Sequence, residues 1–347
     1  MTNLQERNKL FDLLKGFAIV LMVQVHLWEL FADPELVMSY AGRLGMFAGG
    51  PPVAPLFMII FGYFAAASRK SFTSQLLRAL KLFALGMLLN LLLNLNLILQ
   101  VKRGSMQVDL WPYIFGVDIL HLAGLSMIIL LVLTRIEKAR SYIAALLIQL
   151  VLLIPACLPT HMSVQNTGEA YLASYFIGIS HWSYFPLLPW LAYPLAGLIL
   201  YDIRQSAIWQ VINKKYLRWI LTAAAALVVC FTFPFGVRIA ANLPAYYHHS
   251  FLFFGWTILF LIAYSRLVQQ LNHLLGKTKL FGWLRWMGRH VTLLYVIQWI
   301  IIGNMATPLF QSVTSFGTLF VYFICILIAC CLIAAAFLKL QQAPKAS

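Results

Sequence analysis

Residues 316–338 read FGTLFVYFICILIACCLIAAAFL, a run of 23 residues without a charged side chain. A helix rises 1.5 Å per residue, so this run is long enough to cross the roughly 30 Å hydrocarbon core of a bilayer. It is apolar on every face, so it needs lipid or other helices around it rather than water. Working back toward the N-terminus, similar runs recur at 290–309, 250–265, 218–235, 183–201, 141–158, 112–134, 79–100, 51–67 and 11–31. The expected fold is therefore all-α, a polytopic membrane protein of about ten transmembrane helices.

Composition agrees. Of 347 residues, 62% are hydrophobic and 10% are charged, where a soluble domain is about a quarter charged. Mean hydropathy is +0.85. No long polar stretch interrupts the apolar runs, so residues 1–347 read as a single membrane domain. The N-terminal segment lacks a small-residue cleavage site and reads as the first span rather than a signal peptide. There is no internal repeat and no low-complexity segment.

The net charge of +15 does not point to nucleic acid, because the cations sit in short clusters between apolar runs. With the N-terminus inside, only Arg43, Lys102, Arg103 and Arg238 of the 25 Lys and Arg fall outside. The others, Arg7, Lys138 and Lys345 among them, fall on the inner side. Positive charge favours the cytoplasmic side, so both termini are expected there, in an inner or plasma membrane. The outer loops are then about 32–50, 101–111, 159–182 and 236–249, with a turn near 310–315. In them Trp182, Tyr184, Tyr246 and Tyr247 read as an interfacial belt, and His161, His248 and His249 as solvated. The inner segment 266–289, basic with Trp283 and Trp286, reads as an amphipathic surface piece. Cys157, Cys230, Cys325, Cys330 and Cys331 lack metal-ligand spacing and read as packing residues. No metal is expected.

Ionisable groups inside a span are costly and mark candidate sites. The first helix carries Asp12, Lys15, His26 and Glu29. Lys15 and His26 are three turns apart on one face, about 16 Å along the axis. Glu29, one turn beyond His26, is placed to orient its ring. The fourth helix carries Asp118 and His121 at i,i+3, counted to a depth similar to that of His26. A histidine oriented by a carboxylate can take a proton from a hydroxyl or amine as general base. His26, Glu29, Asp118 and His121 are thus the catalytic candidates. Arg69, Lys70, Arg78, Lys81, Arg285 and Arg289 ordinarily set topology, but they also suit a phosphate-binding rim for a nucleotide-bearing donor. Asn90, Asn94 and Asn96 in the third helix read as interhelical hydrogen-bond glue.

The stretch Phe11-Asp12-Leu13-Leu14-Lys15-Gly16-Phe17-Ala18-Ile19-Val20-Leu21-Met22, closing on His26, resembles the first helix of membrane acyltransferases. There a basic residue, ten positions and a histidine recur, here with Lys15 in place of the more usual Arg. Further segments resemble the branch containing heparan-alpha-glucosaminide N-acetyltransferase and its bacterial relatives. They are Pro55-Leu56-Phe57 to Gly62-Tyr63, Asp118-Ile119-Leu120-His121 to Gly124-Leu125-Ser126, Phe185-Pro186-Leu187-Leu188-Pro189-Trp190 to Gly197, and Met287-Gly288-Arg289 to Leu293-Leu294-Tyr295. The resemblance implies transfer of an acyl group, typically acetyl from acetyl-CoA, to a sugar or glycan hydroxyl or amine beyond the membrane. It implies His26 as base and Lys15, with Asp12 beside it, on the donor side. It makes Arg69, Arg78, Lys81, Arg285 and Arg289 contacts for the CoA phosphates. The other reading of the intramembrane His and Asp residues is a proton-coupled transporter or flippase. The expected partners are the bilayer, acyl-CoA and the glycan acceptor; homo-oligomerisation stays open.

Overall fold

In a computed structural model, the structure describes residues 2–136, 139–157, 168–178 and 180–342, with side chains from Lys9 onward and not at 156 and 157. Lys138, His161, Lys345 and the side chains of Arg7 and Cys157 lie outside the described residues. Among the described residues every regular element is a helix, and strand-like pairing is confined to isolated bridges such as Ala32 with Val313. The longer helices are α1 (Thr2–Leu30), α2 (Tyr40–Gly49), α3 (Ala54–Ala67), α4 (Phe72–Leu93), α5 (Ile119–Leu133) and α6 (Arg140–Cys157). They are followed by α7 (Ala192–Gln205), α8 (Lys215–Phe231), α9 (Phe251–Leu275), α10 (Lys279–Arg289), α11 (Val291–Leu309) and α12 (Phe316–Gln342).

Six stretches are long and apolar enough to cross a membrane: Lys9–Leu30, Tyr40–Ala67, Phe72–Leu93, Phe251–Leu275, Val291–Leu309 and Phe316–Gln342. Lys215–Phe231 and Phe233–Ala240 add a seventh if counted together, bent by 66° at Thr232. Large apolar side chains stay exposed along these helices, among them Leu88, Phe231, Leu252, Val321 and Leu332. Stripes of that kind need a lipid neighbour, and the chain is a multi-pass membrane protein.

The remaining expected spans are shorter or broken, for local reasons. The run 112–134 contains a turn at Trp111–Ile114, then extended backbone, and the helix proper starts at Ile119. The run 183–201 holds Pro186, Pro189 and Pro194, and splits into Leu187–Trp190 and α7. The run 79–100 breaks at Asn94, after which Leu95–Lys102 continues. Conversely, the expected loop 32–50 is largely helical. The Asp33 carboxylate accepts from the Leu36 N–H at 2.7 Å, and the Ser39 hydroxyl accepts from the Gly42 N–H at 3.1 Å. These two N-caps start a short helix and α2.

The chain divides into two compact units. The first comprises Met1–Val53, Leu92–Val108 and Leu267–Ser347, and the second Ala54–Leu91 and Asp109–Arg266. In the first unit α1 is central, packed by α2, α10, α11 and α12, and it buries Leu13, Leu14, Ala18, Ile19, Val23 and Leu27. Of the expected amphipathic segment 266–289, residues up to Leu275 continue α9, and only α10 is a separate helix, turning Phe281, Leu284 and Met287 inward. Its crossing with α1 is made by two glycines. A Cβ on Gly16 would fall on the Leu284 carbonyl, and one on Gly288 on the Asp12 carbonyl. Small residues here let the backbones touch.

In the second unit α3 and α7 cross in the same way, with Gly62 against the Pro194 carbonyl and Gly197 against that of Ile59. Arg140, on α6, grips Asp202 on α7 through both carboxylate oxygens, and the Ser141 hydroxyl donates to the same carboxylate at 2.5 Å. The expected interfacial belt is partly internal. Trp182 and Tyr246 are buried, while Tyr184 stays exposed, since Tyr246 packs on Trp190 and Trp182 on Tyr171. His249 is likewise buried rather than solvated, held by the Tyr246 carbonyl at 2.9 Å and the Tyr193 hydroxyl at 3.0 Å. Loop position alone does not predict solvation when aromatic neighbours close over the ring.

Asn90 and Asn96 behave as the expected glue. Asn90 donates to the carbonyls of Ile114 and Gly116 at 3.0 and 2.8 Å. Asn96 donates its backbone N–H to the Asn304 side chain at 2.7 Å and its amide to the Asn304 carbonyl at 3.0 Å, fixing Leu95–Lys102 to α11.

Candidate functional site

The strongest constellation runs along α1 in the first unit. In the N-terminal third of the apolar stretch Lys9–Leu30 of α1, the Lys15 ammonium pairs with the Asp12 carboxylate at 2.9 Å, both half-buried. The glycine crossing holds this pair against the C-terminal end of α10, where Arg289 is exposed and His290 follows. His290 titrates below an ordinary histidine, first because it is partly buried, then because Arg289 repels its charge; Asp12 acts in the opposite sense. Lys15, Arg289 and His290 thus place cationic or protonatable groups where α1 and α10 cross. Arg285 is otherwise engaged, since its guanidinium donates to the Asn272 side chain at 3.2 Å and the Gly276 carbonyl at 2.8 Å. It fastens the turn between α9 and α10.

Three turns along α1, His26 and Glu29 meet as expected, with Nδ1 3.5 Å from Oε2. That distance is long for a hydrogen bond but short enough for the carboxylate to orient the ring. The other feature was not read from the sequence: the Trp299 ring lies on His26 with centroids 4.0 Å apart. Trp299 follows Gln298, whose side chain is fully buried on α11. A polar residue one position before a tryptophan in an apolar span is the signal that marks both.

Asp118 and His121 belong to the second unit and are joined to each other. Asp118 is the N-cap of α5, not a residue inside a helix. Its carboxylate accepts from the Ile119 N–H at 2.5 Å, and His121 Nδ1 accepts from the Asp118 N–H at 3.1 Å, closing a capping box. A backbone N–H can only donate, so Nδ1 carries no proton and its lone pair is occupied. The ring is enclosed by Gly86, Phe83 and Tyr175. This geometry gives His121 a place in helix initiation. Arg69, Lys70, Arg78 and Lys81, also in the second unit, are all exposed. Among the described residues no group of three His, Cys, Asp or Glu could hold a metal ion.

Residues 8–335 match the family described as an acyltransferase domain. Comparison with curated proteins and with solved structures found no match. Since the family match spans nearly the whole chain, from the start of α1 into α12, the chain belongs to the acyltransferase-domain family.

Proposed function

We propose that this membrane acyltransferase moves an acyl group, acetyl in the first instance, from acyl-CoA to a hydroxyl or amine of a sugar or glycan on the outer side of an inner or plasma membrane. The observation that carries the reading is the α1 arrangement. A protonatable and cationic cluster lies where α1 and α10 cross, and a histidine flanked by a carboxylate lies three turns further along α1 on the same face. The extended arm of CoA suits that layout, with its phosphates at Lys15 and Arg289 and its thioester near His26. Arg69, Arg78 and Lys81 are further candidates for the phosphates, and Arg285 supports the turn beside Arg289.

His26 Nε2 would take the acceptor's proton, with Glu29 stabilising the imidazolium through Nδ1. Asp118 and His121 contribute through the start of α5. The reading carries with it about ten spans and cytoplasmic termini, which the charge distribution supports. A proton relay for transport would draw on His26, Asp118 and His121, and two of those three groups are already committed to a helix cap.

The test is acetyl-CoA binding to detergent-purified protein by calorimetry, wild type against Lys15→Ala. Thiol release from acetyl-CoA is then followed with glucosamine, which offers both hydroxyls and an amine. Saturable binding weakened by the substitution, with glucosamine-dependent thiol release, is the expected result. Absence of binding at millimolar acetyl-CoA would sink the donor assignment.

A further inference from the structure

Acyl transfer through a thioester builds negative charge on the carbonyl oxygen, and that charge needs donors placed before the reaction begins. Two buried donors on α11 have no acceptor among the described residues: the indole Nε1–H of Trp299, whose ring lies against His26, and the side-chain N–H group of the preceding Gln298. The Gln298 carbonyl oxygen is likewise buried without a donor. Buried polar atoms are almost always paired, because an unmade hydrogen bond inside an apolar medium is expensive. Orphaned donors on two consecutive residues, one of them packed against a histidine, therefore call for a function.

Tyr295, Gln298, Trp299 and Ile302 fall at i, i+3, i+4 and i+7 of α11, one continuous face of the helix. Trp299 lies on His26, so this is the face that α11 turns toward α1. Tyr295, Gln298 and Ile302 on it are buried. Burial lowers the local dielectric, which is where a fixed N–H dipole acts most strongly on developing charge.

We propose that the Trp299 indole N–H and the Gln298 carboxamide N–H form the oxyanion hole of this enzyme, an inference that rests on the acyl-transfer reading above. The acceptor oxygen or nitrogen attacks the thioester carbonyl carbon while His26 Nε2 takes its proton. The new C–O or C–N bond forms, and the carbonyl electron pair moves onto oxygen, where the two N–H groups hold it. Collapse restores the C=O bond and breaks the C–S bond, and the departing thiolate recovers the proton from His26. The products are the acylated acceptor and free CoA thiol.

The decisive variants are Trp299→Phe, which keeps a ring on His26 and removes the N–H, and Gln298→Met, which keeps the volume and removes the amide. Each is expected to lower kcat for thiol release from acetyl-CoA with glucosamine by about 10²-fold. The KM and calorimetric Kd for acetyl-CoA should stay within about threefold. Removing an unpaired buried amide should leave the thermal midpoint of Gln298→Met equal to or above that of wild type. Stability held or raised while turnover falls is a pattern that a packing role does not produce.

Should both variants turn over within twofold of wild type while His26→Ala is inactive, the oxyanion assignment falls and the base assignment stands. A fall in kcat accompanied by a lowered thermal midpoint in both variants would assign them to packing instead. Retained turnover in His26→Ala, or none in wild type, removes the acyl-transfer reading at His26 and this inference with it.

Discussion

His26 and His121 each lie three residues from a carboxylate, in opposite order, and the order decides what each does. Asp118 precedes its histidine at the start of α5, where unpaired backbone N–H groups draw both side chains into a capping box. Glu29 follows its histidine in the last turn of α1, among outward carbonyls, where a carboxylate is disfavoured unless a cation or protonatable ring stands by. The spacing was legible in the sequence; the roles were not, because they depend on α5 starting at Ile119 rather than seven residues earlier. Replacing His26 with Ala should lower turnover by about 10²–10⁴-fold with unchanged membrane abundance, measured by thiol release and immunoblot. Asp118→Ala should instead cost about 1 kcal/mol of stability, typical of a lost cap, with kcat largely kept.

His249 adds a pH prediction. Burial, with a lesser contribution from His248, pushes it down to about 4, the Tyr246 carbonyl opposing. The unfolded chain then binds more protons than the folded one between about pH 6.5 and about pH 4, so stability rises with pH across that window and is lost on acidification. A thermal midpoint that falls from pH 7 to pH 5 in wild type, and falls less in His249→Gln, is the expected outcome.

Among the elements, the apolar runs located the helices, and Gly and Pro located many of the interruptions only in hindsight. Pro186 and Pro189 divide one expected span, because proline has no backbone N–H to give, and another breaks at Asn94, beyond which the Asn96 N–H turns to Asn304. The glycines of the family-like segments have a physical reading here. Gly62 with Gly197, and Gly288 with Gly16, are crossing points where two helix backbones meet. Gly16→Ala and Gly288→Ala should force α1 and α10 apart at a cost of about 1–3 kcal/mol each, read as a lowered thermal midpoint. They should also weaken acetyl-CoA binding, since Lys15 and Arg289 are set by that crossing. Glycine conservation of function by alanine at both positions would refute the link between crossing and donor site.

For the molecule as a whole, composition settled the solvent and the charge pattern implied the orientation, while the division into two units had no signature in the sequence. The chain weaves between them, so that 92–108 and 267–347 join the first unit across long intervening segments. Linear runs carry no record of such pairings; the Asn96–Asn304 clamp that fixes one of them joins residues 208 positions apart. Orientation is directly testable. In a protein freed of its native cysteines, Ser105→Cys should react with an impermeant thiol reagent on intact cells. Gln205→Cys should react only after permeabilisation, and the opposite pattern would invert the topology.

The close contact of Trp299 with His26 also makes the proposed base visible by spectroscopy. An imidazolium in van der Waals contact quenches indole emission by accepting an excited-state electron, and a neutral imidazole does so far less. The difference in fluorescence between wild type and Trp299→Phe, followed against pH, should therefore trace the protonation of His26 itself, without substrate and without turnover. The enzyme carries a built-in optical electrode at the atom where its chemistry is proposed to begin.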